Sequence, residues 1–384
     1  MVSAPLKLDP AFRLLCLVSE PAPGQDSVRE SIRNGIDFVS LLELSEAHAL
    51  RPQLARCLSE IGWEAVPTEV RTALETFQSR HLLWSLGLSH ELVTISELFS
   101  SSGIPFVTFK GPSLSVLLYG DVARREYSDV DLLVPRSAMK DAENALASLG
   151  YANSQGNRDF RSAFLAYQRQ YSFVREGAFG AVDLHWEFSS AGLPFPISTD
   201  EALKGNHSVS LGRREVPVIG GENLALLLAG HGTKENWRSL NWVGDFAMVM
   251  ATTADLDWQR IHWRASAKGC GDAVVLGCWL ALELLNVPVP PDMTALLHQN
   301  TRAGLIAQEL MARMRLGIVG MSDVHHLDDL MLCDRPIDRM KAMAARLITP
   351  TVGDYHFMPL PRWLWPLYHL TRPIRIATKA LRSI

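Results

Sequence analysis

The spacing of apolar positions changes twice along the chain and divides it into three parts. Over residues 1–100 apolar side chains recur every three or four residues. The pattern runs through SVRESIRNGIDFVSLLELSEAHALRPQLARCLSEIG and again through VPTEVRTALETFQSRHLLWSLGLSHELVTISELFSSSG, and it predicts amphipathic helices. Pro52 and Pro67 punctuate them, and Gly103 stops the last. From residue 104 the apolar residues gather into short runs. IPFVTF predicts a strand, Lys110-Gly111-Pro112-Ser113 a turn, and LSVLLY a helix ending at Gly120. DVDLLV predicts a second strand closed by Pro135, followed by a helix capped by Ser137 and stopped at Gly150. YQRQYSFVRE and GAFGAVDLHWEF predict an antiparallel hairpin, and REVPVIG (214–220) a further β-like patch. Helical spacing returns from Glu222 to about Arg346. The expectation is an α+β (mixed α/β) chain in three parts: helices over 1–100, a small mixed-sheet core over 101–220, and helices with a basic, aromatic tail over 221–384.

Within that pattern the segment REYSDVDLLV is anomalous. Strand side chains alternate, so Asp129 and Asp131 share a face while Val130 and Leu132 point to the other. Paired carboxylates beside a core repel each other and lose hydration, so positive charge is expected between them. Salt bridges from Arg124 or Arg125 would provide it; so would a divalent metal. Asp183 repeats the anomaly in Ala181-Val182-Asp183-Leu184-His185-Trp186, sharing a face with His185. Three carboxylates on adjacent strands suit two-metal phosphoryl or nucleotidyl transfer, in which one of them also takes a proton.

The turn at Lys110 leads into a helix start, where free amides and a lysine can hold phosphate, although such turns are more often mere connections. Arg125 reads equally as a phosphate contact and as charge balance for Asp129. Downstream, His231 and Lys234 share a helix face, placed to close over a bound nucleotide; the plainer reading is a satisfied histidine and a surface lysine. Trp237 and Trp242 read as core, and Asp245 as a buried partner for a nearby cation. His325 and His326, adjacent on a helix, point apart and carry no metal role.

Composition narrows the class. At 384 residues, 47% hydrophobic and 20% charged, the chain reads as globular with two or three subdomains. A net charge of −4 argues against a nucleic-acid partner. The five scattered cysteines include no CxxC pair, which points to a reducing compartment and buried structural roles. The N-terminal run lacks signal-peptide features, and the longest apolar run, 273–286, contains Glu283, so a cytoplasmic location is expected. Trp363, Trp365, Tyr368, Arg372, Arg375 and Lys379 allow peripheral membrane contact. Packing of that helix back onto the domain, with its cations facing solvent, is the favoured reading.

Together, Lys110-Gly111, Leu114, Tyr119, Arg125, Asp129-Val130-Asp131-Leu132-Leu133-Val134 and Asp183-Leu184-His185-Trp186 resemble the uncharacterised bacterial nucleotidyltransferase family of the polymerase-β-like superfold. The resemblance continues through His231, Lys234, Trp237, Leu240, Trp242 and Asp245 into the LPRWLWPLYHLTRPIRI ending. It implies a nucleotidyltransferase core in which Asp129 and Asp131 bind Mg²⁺ (or Mn²⁺) and Asp183 completes the site. Lys110, Gly111, Ser113, Arg125, His231 and Lys234 would then handle a nucleoside triphosphate such as ATP. The wider superfold usually has glycine-serine after the first strand, whereas Lys110-Gly111 precedes Pro112-Ser113 here. The expected reaction transfers a nucleoside monophosphate to a hydroxyl or phosphate of a small molecule, peptide or protein. The alternatives are phosphoryl transfer from the same site and a non-catalytic nucleotide-binding scaffold.

Overall fold

The computed structural model describes residues 9–154, 169–253, 255–315, 330–331 and 333–382. Five helices open the chain: α1 (Pro10–Val18), α2 (Gln25–Arg33), α3 (Phe38–Ala47), α4 (Arg51–Ile61) and the long α5 (Thr68–Ser101). Asp9 and Asp37 start α1 and α3 by accepting backbone N–H groups of the first turn.

The central part alternates strands and helices: β1 (Val107–Thr108), α6 (Gly111–Tyr119), β2 (Asp129–Leu133), α7 (Met139–Ser148) and β3 (Ala152–Asn153), then β4 (Gln170–Val174) and β5 (Ala181–His185). A short helix, α8 (Thr199–Lys204), leads into the hairpin β6 (Asn206–Leu211) and β7 (Arg214–Ile219). These strands form one mixed sheet in the order β3-β4-β5-β2-β1-β7-β6. β2 runs parallel to β5 and antiparallel to β1, while β1 runs parallel to β7.

The third part holds α9 (Gly221–Lys234), α10 (Leu240–Thr252), α11 (Trp258–Ala267), α12 (Gly271–Leu285), α13 (Pro291–Gln299) and α14 (Thr301–Arg315). The chain ends with α15 (Pro336–Ile348), α16 (Val352–Phe357) and α17 (Tyr368–Arg382). The fold is therefore mixed α+β, a sheet flanked by helices, as the spacing predicts.

The alternation along β2 and β5 assigns the two sheet faces. Val130, Leu132, Val134, Val182, Leu184 and Trp186 pack under α5 and α7 with Leu92, Phe99 and Leu146. Leu133 and Phe109 join the larger core on the opposite face, which takes in α1, α4, α9, α10 and α12. Asp129, Asp131, Asp183 and His185 are on this second face.

Several local expectations change. Ser137 does not cap α7: it lies in a 3₁₀ turn, Arg136–Ala138, that enters the helix without a side-chain cap. β6 went unread because its polar residues broke the apolar run, although Gly212, at φ +64°, marks a tight hairpin to β7. All five cysteines are free and buried, as expected. The tail packs α17 onto α15 and α16, but Arg372 and Arg375 turn inward onto buried Asp354 instead of facing solvent. Trp363 remains largely exposed, and the side chain of Lys379 lies outside the described residues, as do His325 and His326. Among the described residues no helix is long and apolar enough to cross a membrane.

Candidate active site

β2 and β5 pair in register, so Asp131 lies directly beside Asp183, and Asp129 beside Ala181. The strand period then places Asp129, Asp131, Asp183 and His185 on one patch of one face. Ligand atoms of Asp131, Asp183 and His185 all lie within 4.8 Å of one another, and Asp129, on the same face, feels the charges of both aspartates. His185 Nε2 is 2.9 Å from Asp131 Oδ1. When that nitrogen carries the proton it donates to Asp131 and orients the carboxylate. His185 was missed as a site residue, although its position two residues after Asp183 already put it on the acidic face.

Gly111 brings the next element into place. Its φ is +60°, and a Cβ there would come within 2.9 Å of the Asp129 carbonyl oxygen. Only glycine meets both conditions, so α6 starts pressed against the first residue of β2. Lys110 precedes it as the N-cap residue, and its Nζ lies 5.5 Å from the Phe109 ring. Among the described residues Lys110 makes no ion pair within 4 Å. Ser113 is fully buried and its Oγ donates to the Lys110 carbonyl at 2.9 Å, so the hydroxyl locks the first turn of α6.

The electrostatics follow from this crowding. Burial raises the Asp129 pKa, and the charges of Asp131 and Asp183 raise it further, to about 6. Burial also pushes Asp131 up, but Lys110, His185 and Arg125 outweigh it and hold that carboxyl at about 2. Asp183 is raised, chiefly by burial, and accepts a hydrogen bond from the Gln170 amide at 3.1 Å.

Arg125 does not pair with Asp129. It is buried, and its Nε donates to Asp245 Oδ2 at 2.8 Å, while Tyr119 donates its hydroxyl to Asp245 Oδ1 at 2.9 Å. Burial works against the Arg125 charge, but Asp245 outweighs it and raises the pKa. Asp245 is thus the partner of Arg125, and not of His231 or Lys234. Arg124 is half-buried and lines a cavity on the far side of Tyr119.

α9 brings His231 and Lys234 to the same region. Burial lowers the His231 pKa well below its usual value, and the charges of Lys110, Lys234, Arg125 and His185 add to the effect. Its ring meets Trp242 edge-on at 5.2 Å. Lys234 Nζ donates to the Phe188 carbonyl at 3.3 Å and lies 3.6 Å from Glu235, and burial lowers its pKa. Trp237 is fully buried core, as expected.

Three clustered carboxylates, two of them with raised pKa values, form a set of hard oxygen donors that fits Mg²⁺ or Mn²⁺. The charges of Lys110 and Lys234 act on Asp131, and His231 feels Lys110, Lys234 and His185 in turn.

A family model described as "uncharacterised nucleotidyltransferase" matches residues 34–286 of the chain. The match takes in α3 to α12, and with them every residue placed in the site above. No curated protein matches the sequence.

Proposed function

Because the chain belongs to the uncharacterised nucleotidyltransferase family, we propose that its acidic patch transfers a nucleoside monophosphate from a nucleoside triphosphate to an acceptor hydroxyl or phosphate, releasing pyrophosphate. The observation that carries this reading is the in-register pairing of Asp131 with Asp183, with Asp129 on the same face and Lys110 beside them. Asp129, Asp131 and Asp183 hold a divalent cation, Mg²⁺ or Mn²⁺, which when bound neutralises phosphate charge and polarises the reacting phosphorus centre.

The protein's own groups do the rest. Lys110, free of ion pairs within 4 Å among the described residues, meets the phosphates at the start of α6, where Gly111 keeps the backbone close. His231 and Lys234 face the same space from α9 and contact the far end of the triphosphate. Ser113 keeps the α6 turn rigid, and Arg125, held by Asp245, supports the acidic strand from behind. The acceptor oxygen attacks the α-phosphorus, the bond to the β-phosphate oxygen breaks, and the electron pair leaves with pyrophosphate. Asp183, with its raised pKa, takes the proton from an acceptor hydroxyl. The acceptor is a small molecule, a peptide or a protein.

The test is incubation with Mg²⁺, each of ATP, CTP, GTP and UTP, and a panel of acceptors, followed by product mass. A gain of one nucleoside monophosphate, lost in Asp131→Asn, supports the proposal. A gain of a single phosphate identifies a phosphotransferase instead, and nucleotide binding that survives Asp129→Ala plus Asp131→Ala refutes the placement of the site.

A further inference from the structure

A second site lies behind the catalytic patch. α1, α4, α6 and α10 enclose a cavity of about 310 Å³, within the size range of small-molecule pockets. Its wall toward the acidic patch is Tyr119, whose hydroxyl is bonded to Asp245 and through it to Arg125.

The polar groups of this cavity are unusual. Buried polar atoms in folded proteins are nearly always hydrogen-bonded. Here Gln53 Oε1, Asn241 Oδ1 and Arg124 Nε are buried without a partner among the described residues, and all three residues line the same space. Gln53 is 8% exposed and Asn241 5%, so bulk water does not satisfy them. Such groups are costly unless something in the cavity pairs with them.

The charges point to what that is. Arg56 and Glu60, one helical turn apart on α4, neutralise each other. Among the described residues that leaves Arg124 and Glu20 as the charges of the cavity without an ion pair within 4 Å. Glu20 follows the C-terminal end of α1, whose carbonyls add partial negative charge, so this end favours a cation. Arg124 favours a carboxylate. Leu118 and Met248 supply apolar wall.

We propose that this cavity binds a zwitterionic small molecule of the α-amino-acid type. Its ammonium group meets Glu20, its carboxylate meets Arg124, and Gln53 and Asn241 complete the hydrogen bonds. The assignment rests on the cavity alone and holds whatever group the acidic patch transfers.

Calorimetry and thermal-shift measurements on the full chain test it, with the twenty free amino acids, acetate and methylammonium each added up to 10 mM. The expected result is saturable binding of at least one amino acid, with no comparable binding of acetate or methylammonium. Arg124→Met and Asn241→Leu should each weaken that binding at least tenfold, and Asp131→Asn should leave it unchanged. Gln53→Met, on a different wall, serves if either variant fails to fold. No binding across the panel, or binding unaffected by these three substitutions, overturns the proposal.

Discussion

The buried Arg125–Asp245 pair sets a quantitative test of how the acidic strand is supported. Arg125 is 5% exposed and Asp245 1%, with Nε and Oδ2 2.8 Å apart. At an effective dielectric of about 20, two unit charges at that distance attract with roughly 6 kcal/mol before the loss of hydration is set against it. Asp245→Asn leaves the guanidinium buried beside Tyr119 without a counter-charge; its other hydrogen bond among the described residues is a long one, 3.4 Å, to the Glu126 carbonyl. Breaking one half of a buried pair costs about 3–5 kcal/mol, whereas replacing both halves with apolar groups is often neutral. We therefore expect Asp245→Asn to lose about 3 kcal/mol or more in urea unfolding. Arg125→Met with Asp245→Leu removes both charges but leaves the buried Tyr119 hydroxyl without its acceptor, so it should recover only part of the loss, and adding Tyr119→Phe should bring it to within about 1 kcal/mol of the parent. Tyr119→Phe removes one hydrogen bond to a charged group, a loss of about 1.5–3 kcal/mol. A loss below 1 kcal/mol in Asp245→Asn, or a double variant as unstable as the single one, would refute the reasoning.

Gly111→Ala forces a side chain into the left-handed region and against the Asp129 carbonyl; a loss of about 2 kcal/mol or more is expected, with weaker Mn²⁺ binding by calorimetry, and an unchanged unfolding midpoint would disprove it. Asp131→Asn removes the most strongly ionised carboxylate of the patch, so Mn²⁺ affinity should fall at least tenfold; equal affinity would place the metal elsewhere. Burial lowers the His48 pKa to about 4, so the folded state prefers the neutral ring and its stability contribution is complete above the unfolded value near 6.5. That contribution, about 3 kcal/mol, is lost as pH falls from 6.5 to 4, and the difference between parent and His48→Gln unfolding across this window measures it.

Much of the site was legible because strand geometry is local. Two residues apart on a strand means one face, so Asp129 with Asp131, and Asp183 with His185, could be grouped from spacing alone. What spacing could not supply was register. Asp131 meets Asp183 because β2 and β5 run parallel with a fixed offset, set by the packing of Val130, Leu132, Val182 and Leu184 under α5 and α7. Arg125 was undecided for the same reason: its partner, Asp245, lies 120 residues away on α10, and only tertiary packing brings it close. The Ser113 reading fell between the two cases. Its place at the start of α6 was visible, but not that its hydroxyl turns back to the Lys110 carbonyl.

Burial alone does not separate structural acids from functional ones in this chain; the census of their partners does. Glu91, Asp245 and Asp354 are all at most 5% exposed, and each is matched by arginine: Arg175, Arg125, and Arg372 with Arg375. Each of these acids ties distant segments together and spends its charge in doing so. Asp129 and Asp183 differ. Among the described residues neither has a cation within 4 Å, and both have raised pKa values, chiefly from burial and further from the neighbouring carboxylate charge of Asp131. A folded chain that satisfies its other buried acids, yet groups three carboxylates on one strand pair, retains an unmet demand for positive charge there. The cavity behind Tyr119 shows the same imbalance in neutral form, with Gln53 and Asn241 buried and unpaired beside Arg124. In both places the described residues leave a polar demand unmet, and the proposed cation and the proposed amino acid supply its partner from outside the chain.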